Sequence, residues 1–159
     1  MILEKATGTS PAIFFNEFLW LKIQPEYEAT WSVDSEEHQM VKMESGINCR
    51  AIDFAKFGRL LLNDGTWGDE TILSQNRMAK YLNLDRNQAS EYVKNIYYQQ
   101  GWWLHVDEND SVKAVAAWGH LGQYLYIFPE KNLIIARFGK KTGKDIRWPS
   151  FFMSLSERL

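Results

Sequence analysis

The stretch from Gly101 to Phe138 constrains the fold more than any other part of the chain. Its apolar and β-branched residues fall into four runs, Trp102 to Val106, Val112 to Trp118, Gln123 to Phe128 and Leu133 to Phe138. Only Asp107 to Asp110, Gly119 to Gly122 and Pro129 to Asn132 separate them, segments rich in residues that turn a chain. A parallel crossover needs roughly a dozen residues or more, so such short connections predict neighbouring antiparallel strands. Helical patterns flank this meander, and helices, then a meander, then one helix is an α+β order: an antiparallel sheet with flanking helices. At 159 residues the chain is expected to form a single domain, 1–159.

The flanking helices are read from caps and periodicity. Met1 to Gly8 reads as the last turns of a helix closed by Gly8, so the chain is expected to begin inside a longer protein. Thr9 or Ser10 can cap a helix over about 10 to 22, with Pro11 at its first position and an apolar face of Ile13, Phe14, Phe18 and Leu21 beside Trp20. From Tyr27 to Asn48 no period is sustained, which predicts a long loop whose Asp34, Glu36 and Glu37 face solvent. Arg50 to Leu62 predicts a helix with Ile52, Phe54, Ala55, Leu61 and Leu62 inward and Asp53 complementing the dipole. Ser74 caps a second helix to about Leu84, with Met78, Tyr81 and Leu82 inward, and residues 85–100 receive no assignment. Trp148-Pro149 starts a closing helix that lays Phe151, Phe152 and Leu155 on the sheet.

A formal net charge of −2 gives no basic field for phosphates, so nucleic acid is not an expected partner. No apolar run approaches the length of a membrane span, and the first twenty residues lack a signal-peptide pattern, so no membrane partner is expected. Cys49 stands alone and can form neither an internal disulfide nor a thiolate zinc site. His38, His105 and His120 lie in three separate segments without metal-ligand spacing, so neither a metal nor a cofactor is expected. Aromatic residues make up 14% of the chain, a content that fits a cleft or a large interface. Trp20, Trp31, Trp67 and Trp148 read as packing residues, while Trp102, Trp103 and Trp118 fit packing or a cleft equally. Arg137 and Lys140 could attract an acidic group, with pairing to solvent as the default.

His120 has the most suggestive setting, in Trp118-Gly119-His120-Leu121-Gly122-Gln123, where flanking glycines let backbone approach a ligand. The stretch Glu44 to Gly68, Ile72-Leu73-Ser74, Gly101-Trp102-Trp103 and Trp118 to Arg137, in that order, resembles the C-terminal half of serine hydrolases related to class C β-lactamases. These include esterases, D-amino-acid peptidases and 6-aminohexanoate-oligomer hydrolases. The resemblance implies a partial β-lactamase/transpeptidase-like fold and, for the full protein, hydrolysis of a small amide or ester through an acyl-enzyme without a cofactor. It also implies that His120 points into the cleft, that the Gln123 N–H is an oxyanion donor, and that Leu121, Gly122, Trp118 and Trp102 border the substrate. Leu121 stands where many members have Thr, so a hydroxyl contact to a substrate carboxylate is missing. A periplasmic or secreted location follows only from the same resemblance.

Two matches by letter are set aside. Lys141-Thr142-Gly143 follows the last strand and reads as a solvated turn; Tyr81-Leu82-Asn83 lies in an amphipathic helix, where Tyr81 reads as core. No serine has a lysine three residues later, so the family's Ser-x-x-Lys is absent from these 159 residues. The expectation is a C-terminal portion lacking the nucleophile, with the alternative of a catalytically inactive binding or assembly domain of the same fold. Sheet and helix surfaces covered in the family would then be bare, which favours a homo-oligomer.

Overall fold

A computed structural model of the chain describes residues 2–88, 94–142 and 146–159. Helix α1 (Ile2–Thr7) ends at Gly8, whose φ of +73° lets its N–H reach the Glu4 carbonyl at 2.8 Å. Helix α2 (Pro11–Phe15) begins on Ser10, whose hydroxyl accepts the Ile13 N–H. It continues as a π turn, Asn16–Trp20, and a 3-10 turn, Leu21–Ile23. The wide turn shifts the inward stripe onto Phe15, Leu19, Trp20 and Ile23. The expected apolar face is therefore corrected: Ile13, Phe18 and Leu21 are exposed.

The segment expected to be a loop carries β1 (Thr30–Trp31) and β2 (Ile47–Asn48), an antiparallel pair, and a bridge between Val33 and Val41. Next come α3 (Ala51–Leu62), the small hairpin β3 (Thr66–Trp67) and β4 (Glu70–Thr71), and α4 (Gln75–Leu82). The meander then forms a sheet of β5 (Ile96–Gln99), β6 (Trp102–Val106), β7 (Val112–Gly119), β8 (Gln123–Phe128) and β9 (Leu133–Arg137). Its order is β5-β6-β7-β8-β9, antiparallel throughout, and α5 (Trp148–Arg158) closes the described chain.

Strand alternation gives the sheet two apolar faces. On one, Ala114, Ala116, Tyr124, Tyr126 and Phe128 pack against Phe152 and Trp148 of α5. On the other, Val115, Leu125 and Ile127 meet Leu61 of α3 and Met78 of α4. Gly58 lets α3 lie close to the strands, since a Cβ there would come 2.9 Å from Ile134 Cγ2. Two helices were read too simply. In α3, Ile52 is exposed while Asp53 and Leu60 are buried, because the helix is covered by Trp20 and Ile23 as well as by the sheet. In α5, Phe151 is 49% exposed and Phe152 alone is fully seated.

Strand β5 was not expected, and its anchor is the polar Gln99, 5% exposed. The Gln99 amide nitrogen donates to the carbonyls of Asn83 (2.6 Å) and Tyr81 (3.3 Å), and its oxygen accepts the Asp85 N–H at 2.8 Å. One side chain thus satisfies backbone groups left over at the end of α4 and ties that helix to the sheet. Gln99→Leu should cost about 2 kcal/mol in urea denaturation, since these partners become buried and unpaired. A loss indistinguishable from zero would mean that water replaces the amide without penalty.

Candidate functional site

The sheet ends that border the proposed motif are uneven. Pairing between β6 and β7 reaches only Trp103↔Ala116, whereas β7 and β8 pair through Ala117↔Leu125, Trp118↔Tyr124 and Gly119↔Gln123. Among the described residues, the last three positions of β7 therefore have one ladder partner and one open edge. His120–Gly122 then forms a 3-10 turn rather than a continued strand, with the Gln123 N–H donating to the His120 carbonyl. His120 and Leu121 are exposed and Gly122 is buried. Leu121 sits at φ 57°, ψ 17°, a left-handed conformation that a non-glycine residue adopts at a cost of roughly 1 kcal/mol.

The turn is held from behind by residues after β9. The Gln123 amide pairs with the Gly139 peptide in both directions, accepting the Gly139 N–H at 3.0 Å and donating to the Gly139 carbonyl at 2.5 Å. The Arg137 guanidinium donates to the Gly122 carbonyl and to the Lys141 carbonyl, and lies 4.0 Å from the Trp148 ring centroid. A Cβ at Gly122 would come 2.6 Å from Arg137 Nη1, so glycine is required by this clasp as well as by its φ of +84°. Arg137 is thus committed to the fold and does not serve as a free cation for an acidic group.

The sheet face under α5 holds a groove of about 680 Å³, lined by His105, Trp118, Tyr124, Trp148 and Met153 among others. His105, 7% exposed, is the residue here that sequence spacing did not single out. Trp118 Nε1 donates to the Tyr126 hydroxyl at 2.9 Å, and that hydroxyl lies 3.1 Å from His105 Nε2. With the indole N–H donating to its oxygen, the Tyr126 hydroxyl keeps its own proton to donate to Nε2, an arrangement that suits a neutral His105 with its proton on Nδ1. Burial lowers the His105 pKa to about 4, and burial likewise pushes the Tyr126 hydroxyl upward.

The sequence-selected aromatics divide between the faces. Trp118 stacks on Trp103 at 4.4 Å on the α5 side, while Trp102 packs with the cluster under α3. The structure therefore brings His120, Leu121, Gly122, Gln123 and Trp118 into one neighbourhood and leaves Trp102 on the other face. His38 is exposed beside Ser35. Tyr81 is half-buried against the α3-side cluster. Of the set-aside Lys141-Thr142-Gly143, the first two residues are exposed, and Gly143 lies outside the described residues. Among the described residues no three His, Cys, Asp or Glu side chains converge as a metal site would require.

No family model matches the chain. It is 26% identical over 153 residues to the 6-aminohexanoate-dimer hydrolase of Paenarthrobacter ureafaciens, covering 92% of this chain and 38% of that protein. A solved structure provisionally named a 6-aminohexanoate-dimer hydrolase, from Bacillus anthracis, superposes with a TM-score of 0.85 at 26% identity, over 99% of this chain and 40% of that one. A provisionally named β-lactamase from Bacteroides dorei shares the fold, with a TM-score of 0.65 at 17% identity over 89% of this chain and 47% of that one. The chain spans about two fifths of the length of the first two relatives. In sequence and fold the chain is thus similar to a part of these hydrolases, and it shares the β-lactamase-like fold.

Proposed function

We propose that this chain supplies the substrate-bordering strand end of a hydrolase that cleaves small linear amides or esters through an acyl-enzyme. The acylated serine would belong to residues outside these 159, since no Ser-x-x-Lys occurs within them. The observation that carries the reading is the open edge of β7 at Ala117 to Gly119, leading directly into exposed His120. An amide laid along that edge can exchange hydrogen bonds with the strand backbone, as an added strand does, and so present its carbonyl beside the imidazole. In the reaction the serine oxygen adds to the carbonyl carbon, the amine or alcohol departs with a proton, and water then releases the acid.

His120 is the group proposed to meet substrate, and Gln123 is a positioning residue that shapes the turn through Gly139. In the turn as folded, the Gln123 N–H is occupied by the His120 carbonyl, so service as an oxyanion donor would require that turn to open. Leu121 offers apolar contact and no hydroxyl, which fits a methylene chain better than a carboxylate-bearing ring. A dimer of 6-aminohexanoate, named in the relatives, has such a chain.

Titrating the ¹⁵N-labelled chain with that dimer should shift amide resonances at Ala117 to His120, and His120→Ala should weaken the response several-fold. Absence of saturable shifts there, or shifts confined elsewhere, would overturn the site. A fluorophosphonate should leave the intact mass of the 159-residue chain unchanged and label a longer protein containing it. The absence of the motif also favours a second reading, an inactive binding domain of the same fold; that reading gains if the longer protein is unlabelled too.

A further inference from the structure

We infer that Arg137 is a positioning residue for the His120 turn. Its guanidinium fixes the peptide between Gly122 and Gln123, and that peptide decides whether the turn offers a ligand the His120 imidazole or the Gln123 N–H. The inference deepens the hydrolase reading and rests on it only where substrate is named; the hold on the peptide is tested without substrate. Every contact involved joins residues 119–142 to one another or to Trp148.

A trans peptide is planar, so its carbonyl and its N–H point in opposite directions. In the peptide between Gly122 and Gln123 the carbonyl accepts from Arg137 Nη1, and the N–H donates to the His120 carbonyl. Holding the first group therefore aims the second, and the closed turn keeps the exposed His120 at its tip. The turn's own residues do not supply this hold. Gly122, at φ +84°, rotates at little cost, and Leu121 sits in a left-handed conformation that a leucine leaves readily unless it is kept there.

The hold needs a planar fork. Arg137 Nη1 and Nη2 reach two different carbonyls, those of Gly122 and Lys141, the second at 3.3 Å, and the guanidinium face rests 4.0 Å over the Trp148 ring. A lysine ammonium is a point charge and offers the indole no such face. Trp148 Nε1 donates to the Thr142 carbonyl at 2.5 Å, so the first residue of α5 braces both the guanidinium and the strap at 139–142. Gly139 makes room for the fork: a Cβ there would lie 2.5 Å from Nη1 and 2.8 Å from Nη2. Arg137, Gly139 and Trp148 thus act on the turn from behind.

Deuterium exchange of the ¹⁵N-labelled 159-residue chain reads this peptide directly. Arg137→Lys should speed exchange of the Gln123 amide about tenfold, the scale of a lost charge-assisted hydrogen bond, while the rest of β8 keeps its protection. Gly139→Ala, which retains the arginine but displaces its guanidinium, should do the same, and the double variant should add nothing further. Lys140→Ala removes an equal charge from an exposed position and should have no effect. In Arg137→Ala, free guanidinium at millimolar concentration should restore slow exchange, and ammonium should not. Unchanged Gln123 exchange in both Arg137→Lys and Gly139→Ala would overturn the inference, as would an equal loss of protection throughout β8, the mark of global destabilisation. Titrated with a dimer of 6-aminohexanoate, Arg137→Lys should show the parent's shifts at Ala117 to His120 with several-fold weaker affinity. Equal affinity would overturn the positioning role and leave the site in place. A parent chain without those shifts would overturn the hydrolase reading instead, and the exchange comparison would still decide the hold on the peptide.

Discussion

Asp53→Asn is expected to lower the unfolding free energy by about 3 kcal/mol, although the side chain keeps its size. Asp53 is fully buried, and its carboxylate accepts the Glu26 N–H at 2.7 Å and the Tyr27 N–H at 3.1 Å, with Lys56 Nζ 3.4 Å away. Lys56 in turn donates to the Gln24 carbonyl at 2.5 Å, and Arg50 lies 3.6 Å above the Tyr27 ring. The first turns of α3 thereby hold the sharp turn that follows α2, where Gln24 is left-handed. An asparagine can accept only at its oxygen, so its NH₂ would face a backbone donor, and Lys56 would keep only Glu26, 3.3 Å away, of its two carboxylate partners. For a domain of this size a loss of about 3 kcal/mol corresponds to a melting temperature lower by roughly 10 °C.

A second readout separates charge from shape. Burial, and then the Asp53 charge, raise the Cys49 thiol to about 11, which keeps it protonated and unreactive. Asp53→Asn should lower that value and speed alkylation of Cys49 in the folded protein at mildly alkaline pH. A stability change under about 1 kcal/mol with an unaltered thiol profile would show that the carboxylate is dispensable.

The second large effect is a loss of stability in acid traceable to His105. Its folded pKa is lowered by burial to about 4, while the unfolded chain binds the same proton near 6.5. Between these values the unfolded state holds more protons, so the stabilisation is complete above pH 6.5 and is lost as pH falls toward 4. The full difference is on the order of 3 kcal/mol. Carboxylates titrate over part of the same range, and His105→Gln, which keeps an acceptor for the Tyr126 hydroxyl, serves as the reference. Denaturant titrations at several pH values should show a steeper decline in the parent protein than in His105→Gln. Equal slopes, or an imidazole that titrates near 6.5 by NMR, would contradict the buried neutral assignment.

The meander was legible because its signals are local. The turn after β6 is formed by Asp107, whose carboxylate accepts the Asn109 and Ser111 N–H groups at 2.8 and 2.9 Å, contacts made within four residues. Hydrogen bonds from the Ser111 and then the Asn109 backbone also hold that carboxylate below its usual range. The start of α2 at Ser10-Pro11 and the stop of α1 at Gly8 are similarly short-range. Strand β5 was missed because Gln99 reads as a surface residue until α4 is folded against it, 16 residues back in sequence. The π turn after Phe15 moved an apolar stripe that a uniform helical period places elsewhere.

In the candidate site, His120 to Gln123 was visible as a glycine-bracketed polar group at a strand end. Its open β7 edge was not, because that depends on where the ladder with β6 stops. The commitment of Arg137 to the turn, the pairing of Gln123 with Gly139 and the seat of His105 beneath Tyr126 were equally hidden. The sequence by itself determined the α+β order, the antiparallel meander and the His120 turn, since turn chemistry, capping and alternation act between residues only a few positions apart. Only the tertiary structure decided which polar groups became buried, paired or free, because burial and hydrogen-bond partners are set by residues that meet from distant parts of the chain.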